Sequence, residues 1–323
     1  MARRAVASLV AGGLALAACG CTGKLPPPSL VDRFRVLAVR AEPPEVQPGA
    51  AAALDLLIVD PYAPAEGRPR SFLWLACATP SGTSAAACAQ FATDPSAALP
   101  GVATGDLTIS SCDDQAGSLT GGGLCLIGMN ETAAYVPPAD FLVAGDESRV
   151  VTLFVAAATG DTDAISCVMQ MVNEGSMATD CQVSYKRLTV SSSTTPNQNP
   201  GLATVTLDDA ELPDGDVTTV GPGKHVLTAT AVDGSAEAYT DTKGTAQTET
   251  LLLSWYVAAP APGDPTSTRE PGDLTLYRTE LPTTDDETYT APAEAGDVVL
   301  WVVVRDDRGG VGWLQRNLSA TGG

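Results

Sequence analysis

The feature that most limits the fold of this chain is a series of short apolar runs divided by turn-forming residues. Examples are Ala52 to Val59, Glu249 to Val257 and Val298 to Arg305, with clusters of Pro, Gly and Asp between neighbouring runs. Runs of this length are typical of β-strands, whereas amphipathic helices need longer segments with a period of 3.6 residues. The apolar run Ile165 to Met171 is also predicted as a strand. The pattern predicts an all-β protein built from antiparallel β-sandwiches.

The N-terminus has three parts that occur together in export signals. Arg3 and Arg4 precede an apolar run, Ala5–Ala18, whose last residues Leu-Ala-Ala stand directly before Cys19. The run has the length of a signal segment and is too short to span a bilayer. The pattern resembles the lipobox signal of bacterial lipoproteins, which implies that residues 1–18 are removed and that Cys19 is lipidated. An ordinary secretory signal is the alternative.

The resemblance to lipoproteins also implies a location. Several acyl chains would hold the protein permanently at a membrane, since one chain alone binds only marginally. Gly20 stands where an Asp favours retention in the inner membrane, so the outer membrane is expected, on either its periplasmic or its surface face. Cys21 is a poorer candidate for lipidation. Residues 19–30, with Pro26 to Pro28, are predicted to form a stiff tether.

The length of 323 residues is enough for two domains that each bury a core. The segment 191–200 (SSSTTPNQNP) holds no aliphatic or aromatic side chain and is predicted to be a linker. The first domain is therefore expected at 31–190 and the second at 201–320. Within the first domain, the small and polar residues of 78–135 interrupt the strands and predict a long insertion.

Six cysteines follow the N-terminal pair, all of them in the predicted first domain. An even set in an exported protein indicates disulfides, and six cysteines allow fifteen pairings. Sequential pairing is favoured because each such pair flanks a short small-residue or polar segment. A zinc site would need closely spaced cysteines or partner histidines, which the chain lacks. The predicted pairs are Cys77 with Cys88, Cys112 with Cys125, and Cys167 with Cys181.

Motifs in the second domain resemble bacterial immunoglobulin-like modules. They are Leu251–Val257 with its Trp-Tyr pair, Tyr289–Pro292, and Val298–Gly310 with its Asp-Asp-Arg-Gly-Gly ending. The first domain opens similarly with Val36–Val39 and Glu42–Gly49. The whole arrangement resembles envelope lipoproteins of the myxobacterial type. The resemblance implies two immunoglobulin-like sandwiches, the first with a disulfide-stapled insertion, and carries over no catalytic residue.

The charge of the chain limits its partners. It has 18 Lys and Arg against 38 Asp and Glu, a net charge of −20. Nucleic acid and anionic headgroups would be repelled. The expected contacts are a membrane, through the N-terminal lipid, and an unidentified protein or glycan ligand.

Catalytic patterns are few. His225 is the one histidine, and it lies in an alternating run with no partner nearby, so a strand residue is expected there. Carboxylate pairs can hydrolyse glycosides, but acidic pairs are too numerous here to single one out. These pairs are Asp113-Asp114, Asp208-Asp209, Asp285-Asp286 and Asp306-Asp307. The tryptophans are expected in the cores, with sugar stacking by Trp313 as the alternative. They are Trp74, Trp255, Trp301 and Trp313.

One acidic loop is a candidate calcium site. Calcium binds six to eight oxygen ligands, which such loops supply, although the spacing is not that of an EF-hand. No other cofactor is expected. The residues are Asp208, Asp209, Glu211, Asp214 and Asp216.

Together these features predict a lipid-anchored envelope protein that is not an enzyme. Its expected role is structural, adhesive or binding, with the insertion 78–135 as the candidate recognition surface because it is long and stapled. One alternative is a periplasmic accessory subunit of an envelope or secretion assembly that offers a strand edge for β-augmentation. A carbohydrate-active enzyme is the other.

Overall fold

A computed structural model describes residues 27–63, 67–78, 112, 123–241, 243–264, 267, 269–275, 278–281 and 287–323. The signal segment, Cys19, Cys88 and most of the predicted insertion lie outside these residues. The elements of the first part are β1 (Arg35–Glu42), β2 (Glu45–Val46), β3 (Ala52–Val59), β4 (Arg70–Ala78), β5 (Gly123–Gly128), β6 (Ala133–Tyr135), β7 (Ser148–Thr159), α1 (Ala164–Glu174) and β8 (Cys181–Ser191).

The strands of the second part begin after residue 201. They are β9 (Leu202–Leu207), β10 (Ala210–Glu211), β11 (Val217–Val220), β12 (Lys224–Ala231), β13 (Ala238–Thr240), β14 (Ala246–Thr248), β15 (Leu251–Ala258), β16 (Asp273–Leu274), β17 (Arg278–Leu281), β18 (Glu287–Thr290), β19 (Gly296–Arg305) and β20 (Val311–Ala320).

The strands form two immunoglobulin-like sandwiches, and the predicted all-β fold class is confirmed. The first sandwich packs the sheet β1-β3-β6 against β2-β8-β7-β4-β5. The second packs β10-β9-β12-β18-β16 against β11-β20-β19-β15-β17, with β13 and β14 as a separate hairpin. In each sandwich the chain crosses from the first sheet to the second within its first few strands. There β2 runs parallel to β8, the last strand of the first sandwich, and β11 runs parallel to β20, the last strand of the second. Pairing between the other strands is antiparallel.

Each sandwich has its own core of inward-facing side chains. Trp74 and Tyr135 are enclosed in the first sandwich, and Trp255 and Tyr289 in the second. The indole of Trp74 donates to the carbonyl of Asn130 at 2.9 Å. Interior aromatics with a bonded polar atom combine large apolar burial with a fixed orientation. The prediction of core positions is thus confirmed for these two tryptophans.

The segment predicted as a strand at 165–171 is a helix instead, α1. Its inward side chains are Ala164, Cys167 and Val168, which follow helical spacing and pack on the sheet. Asp163 caps the helix because its carboxylate accepts from the backbone N–H of Ser166 at 2.9 Å. Gly175 ends it in a left-handed conformation, φ 65°. The strand prediction was wrong because a short apolar run has no decisive period, and the two caps determine the outcome.

Replacing the cap tests this account of the helix. Asp163→Ala removes both the acceptor for Ser166 N and the bond from the Ser166 hydroxyl at 2.6 Å. We expect a loss of about 1 kcal/mol in the free energy of unfolding, measured by urea denaturation. The exposed Asp161 gives the matched control, Asp161→Ala, which should leave stability within about 0.5 kcal/mol. Equal losses for the two variants would contradict the capping role.

Two disulfides with both cysteines among the described residues lie in the first sandwich. Cys112 is bonded to Cys125 on β5, and Cys167 on α1 is bonded to Cys181 at the start of β8. These are two of the three pairs in the sequential arrangement. Cys77 is also disulfide-bonded, and its predicted partner Cys88 lies outside the described residues. The second bridge fixes α1 to the sheet that it covers.

The described residues of the two predicted connecting segments, 27–30 and 191–200, contact the sandwiches. The end of the predicted tether adds a short parallel bridge to β15: Val31 N donates to Val257 O at 2.8 Å, and Val257 N donates to Ser29 O at 2.9 Å. In the predicted linker, Asn197 is 1% exposed. Val31 packs with side chains of both sandwiches, and Asn197 donates through its backbone N to Glu45 of the first and through its amide to Asp306 of the second. Among the described residues, no helix is long and apolar enough to cross a bilayer.

Candidate functional site

The two sandwiches meet along a continuous apolar contact. Leu37 and Leu57, from the outer face of the small sheet, pack with Tyr256, Trp301 and Val303 from the outer face of the second sandwich. All five are less than 10% exposed. Burial of large side chains from both partners favours one fixed arrangement over independent motion.

Polar contacts extend this interface at both ends. At one end Ala261 N donates to Pro61 O, and Gly263 N donates to Tyr62 O. In the middle, Arg305 donates to the carbonyl of Leu37 at 2.9 Å. The interface therefore runs along the length of the sandwiches, not across a single hinge.

The other end is organised by one arginine, Arg308, in the turn between β19 and β20. Its guanidinium donates to Glu45 Oε2 at 2.7 Å and to Glu249 Oε1 at 3.3 Å, and lies 3.6 Å from Glu237 Oε2. It also covers the ring of Tyr239 at 5.0 Å. Glu45 belongs to the first sandwich and the other partners to the second. One cation thus joins carboxylates from both sandwiches.

The turn that carries Arg308 is held by its own side chains. Asp306 Oδ1 accepts from Arg308 N at 2.9 Å and from Gly310 N at 2.6 Å. Asn197 Nδ2 donates to Asp306 Oδ2 at 3.3 Å. A Cβ at Gly310 would meet the backbone carbonyl oxygen of Gln198 at 2.8 Å and also the Asp306 carboxylate, so a side chain does not fit there without a backbone shift. The Asp-Asp-Arg-Gly-Gly sequence folds locally into a turn that aims Arg308 at the junction.

Glu249 is the most perturbed carboxyl at this junction. Its side chain is 0% exposed. Burial raises its pKa to about 7, and the charges of Asp306 and Glu237 add to the rise, while the hydrogen bond from Glu237 N and the charge of Arg308 oppose it. Burial, which disfavours the charged carboxylate, is the main cause of this shift, and the neighbouring carboxylates add to it.

A polar cleft opens beside Arg308. It has a volume of ≈ 620 Å³ and lies between Ser191–Thr195 and the β13–β14 hairpin, with Tyr239 on its wall. A second cleft of ≈ 440 Å³ continues it past Arg187 and Asp307. Hydroxyl and carboxylate groups dominate the lining, so the junction offers a concave surface for a polar ligand.

A third cleft has a different character. It has a volume of ≈ 460 Å³ and lies between β1, β8 and the β19–β20 turn. Lys186 lines it and is 6% exposed, with its ammonium donating to the carbonyl of Gly309. Burial lowers the pKa of Lys186 to about 8, Asp306 opposes this change, and Arg305 adds to it.

In the acidic loop one carboxylate binds a histidine, and the carboxylates do not form a cluster that could bind a metal ion. Asp208 Oδ2 lies 2.7 Å from His225 Nδ1, and Asp208 Oδ1 accepts from Val226 N at 2.8 Å. Asp214 pairs with Arg316 at 3.2 Å. The described residues contain no group of three or more possible ligands that could hold a metal ion. The calcium hypothesis for Asp208, Asp209, Glu211, Asp214 and Asp216 therefore finds no support, because Asp208 and Asp214 already bind other groups.

His225 lies on β12, as the sequence predicted, and both ring nitrogens have partners. Nε2 is 3.0 Å from the carbonyl of Gly221. Burial lowers the pKa of His225, but the hydrogen bonds to Asp208 and Gly221 and the charge of Asp208 outweigh it and raise the pKa above 6.5. The ring ties the turn after β9 to β12.

The single histidine makes this pair easy to test by NMR titration. We expect the His225 ring to titrate above 6.5 and Asp208→Asn to lower its pKa, because the carboxylate charge is lost. A raised folded-state pKa stabilises the protein fully below pH 6.5, and this stabilisation is lost as the pH rises through the folded-state pKa. Asp209→Asn is the control, and an equal shift in both variants would contradict the pairing.

The other residues that the sequence singled out, where the structure describes them, pack in the interface between the sandwiches or form a turn. Trp301 and Trp313 pack at the junction of the sandwiches, and the guanidinium of Arg40 covers the Trp313 ring at 4.5 Å. That contact opposes sugar stacking on the covered face. Asp306 and Asp307 form the turn described above, whereas Asp113, Asp114, Asp285 and Asp286 lie outside the described residues. Sequence patterns gave no signal for Arg308, Glu45 or Lys186, whose partners are distant in the chain.

Comparisons with known proteins give matches to solved structures. A scan of protein-family models and a search of curated proteins gave no match. Fibronectin(III)-like modules of Clostridium thermocellum CbhA share 11% identity, with 88% of this chain and 93% of that chain covered and a TM-score of 0.21. The Yersinia pseudotuberculosis adhesin InvE shares 11% identity, with coverage of 87% and 58% and a TM-score of 0.21. Escherichia coli alpha-2-macroglobulin shares 10%, with coverage of 90% and 22% and a TM-score of 0.23.

Proposed function

We propose that this protein is a lipid-anchored, non-catalytic binding module of the bacterial cell envelope. The observation that carries the proposal is the fused junction, where apolar packing and Arg308 hold two sandwiches together beside open clefts. A rigid scaffold that positions clefts suits binding, because preorganised surfaces lose less entropy when a ligand binds.

The surroundings of the candidate catalytic groups support a non-catalytic role. Both ring nitrogens of His225 are engaged, and Asp306 satisfies the backbone of its own turn. A general base needs a free position facing a substrate. These groups instead maintain local structure.

The lipid anchor is tested by mass spectrometry and fractionation of the expressed protein. We expect an acylated Cys19 as the first residue and recovery of the protein with outer membranes. Cys19→Ser should abolish acylation, and Cys21→Ser, the matched control, should keep it. A chain that starts elsewhere without acyl groups, or a Cys19→Ser variant that is still acylated, would remove the anchor from the proposal.

A strand edge favours a second candidate function, an accessory subunit of an envelope assembly. In the described part of the chain, β8 pairs with β7 along its length but with β2 only at Thr189 and Val190. Residues 182–188 therefore have no hydrogen-bonded strand on that side, and a partner strand would pair there by displacing β1, which lies alongside. Crosslinking in intact cells would distinguish the candidates, because a subunit gives stable adducts with neighbouring envelope proteins and a ligand-binding module does not.

A further inference from the structure

The third cleft, between β1, β8 and the β19–β20 turn, suits a small ion and not a further strand. β1 lies alongside β8, where Gln182 Oε1 accepts from Val36 N at 2.6 Å, and the turn places the Gly309 carbonyl on the ammonium of Lys186. The space left beside these contacts is ≈ 460 Å³. A water molecule occupies about 30 Å³ of the liquid, so a compact ion of a few heavy atoms fits while β1 stays in place.

The cleft is positively charged in a chain whose net charge is −20. Three cations line it, Lys186, Arg187 and Arg305, against the single carboxylate of Asp306. That carboxylate already accepts from the backbone N of Gly310 at 2.6 Å. Among the described residues, no carboxylate forms an ion pair with any of the three cations. The cleft therefore carries positive charge without a matching anion.

Lys186 is the cation of this cleft that gains most from an anion. It faces inward on β8 beside Leu188 and is 6% exposed. An ammonium can donate three hydrogen bonds, and its acceptor within the described structure is a neutral carbonyl, that of Gly309. Burial lowers its pKa to about 8, Asp306 opposes this change, and the like charge of Arg305 adds to it. A buried cation in such surroundings is costly, and an anion beside it forms charge-assisted hydrogen bonds.

The two arginines keep donors for the same ion. Arg305 donates to two neutral oxygens, Ser254 Oγ at 3.2 Å and Leu37 O at 2.9 Å. The exposed side chain of Arg187 makes no hydrogen bond to the residues that the structure describes. A guanidinium has five N–H donors, so both arginines can bind a further acceptor. β1 lines the cleft with the uncharged residues 36–39, and a wall of this kind strengthens the attraction of an anion to the cations.

We propose that this cleft binds one small oxyanion of the phosphate or sulfate type. Lys186 would bind it from the inside of the cleft and Arg187 from the rim, with the charge of Arg305 adding to the attraction. A tetrahedral dianion presents oxygens on every side of a compact body, whereas a monocarboxylate presents two oxygens on one side. The inference goes beyond the proposed function, because it needs neither the lipid anchor nor the polar cleft beside Arg308. Its failure would leave that function standing.

The test uses the full chain in detergent and three probes at one ionic strength: inorganic phosphate, glycerol 3-phosphate and acetate. Calorimetric titration should show phosphate binding at one site, with acetate about tenfold weaker. Backbone amide signals in NMR spectra should shift at residues 184–187 and 309–311 when phosphate binds. A preference for glycerol 3-phosphate would make the bound group a phosphate ester, and a preference for phosphate would make it the free ion. No heat with either phosphate probe, equal affinity for acetate, or shifts only in another region would overturn the proposal.

Variants of the cleft separate the charge from the fold. Lys186→Met removes the buried charge at a similar side-chain length and should weaken phosphate binding about tenfold. Arg187→Gln changes an exposed side chain, so it should fold normally, and we expect a severalfold loss of affinity. Lys224→Met, an exposed position on β12, is the control and should bind phosphate as the wild type does. Unchanged affinity in both cleft variants, or an equal loss in Lys224→Met, would contradict the site.

Discussion

Replacing Arg308 with methionine is expected to destabilise the protein by about 3–5 kcal/mol. The variant leaves the carboxylates of Glu45 and Glu249, whose side chains are 8% and 0% exposed, without their shared cation. Removing one partner of a buried ion pair costs this much because the remaining charge stays desolvated. The loss should be smaller near pH 5, where Glu249 binds a proton. Urea denaturation at pH 5 and pH 8 measures both values.

Two control variants define what Arg308 contributes. Arg33→Met removes an exposed pair with Asp32, whose side chains are 55% and 38% exposed, and should change stability by less than about 1 kcal/mol. Arg308→Lys keeps the charge but lacks the planar fork that reaches two carboxylates, so it should recover only part of the loss. An Arg308→Met variant as stable as Arg33→Met would refute the role of Arg308 in joining the sandwiches.

The second large effect is a fall in stability as the pH rises from about 4.5 to about 7. The pKa of Glu249 is about 7 in the folded protein, against 4.5 for an ordinary glutamate. Between these values the folded state keeps a proton that the unfolded chain has released, so raising the pH favours unfolding. A difference of this size corresponds to about 3 kcal/mol across the interval.

Glu249→Gln isolates this contribution because glutamine cannot titrate. The stability of the wild type, measured by urea denaturation between pH 4.5 and pH 7.5, should fall more steeply than that of the variant. Glu147→Gln, which replaces a glutamate on the wall of the polar cleft, is the control and should keep the wild-type slope. Parallel pH profiles for the wild type and Glu249→Gln would show that Glu249 titrates normally.

Apolar runs bounded by turn residues predicted most strands correctly. The prediction failed where a short apolar run fits a helix as well as a strand. The runs around Trp74 and Trp255 are long, apolar and bounded by turns, so their place in central strands followed from the sequence. The run 165–171 is equally apolar, but Asp163 and Gly175 cap it as a helix. Caps of one residue each are weak signals beside an apolar run.

The junction was not predictable because its contacts are distant in the chain. Arg308 and Glu45 are 263 residues apart, and Arg308 and Glu249 are 59 apart. The segment 191–200 was predicted as a linker from its polar composition. Two of its polar side chains instead bind at the interface: Asn197 donates to Asp306, and Asn199 donates to the carbonyl of Ala41. A polar segment is exposed unless its polar groups find hydrogen-bond partners in the protein. Tertiary packing, which local sequence does not show, determines whether such partners are near.

The central claim is that the two sandwiches move as one body. NMR relaxation of backbone amides tests it directly, because it reports the rotational correlation time of each sandwich separately. The account predicts one correlation time for residues 35–191 and 202–320, that of a particle of the full mass. Two shorter and unequal times, as for sandwiches joined by a free linker, would contradict the fused junction and the binding function built on it.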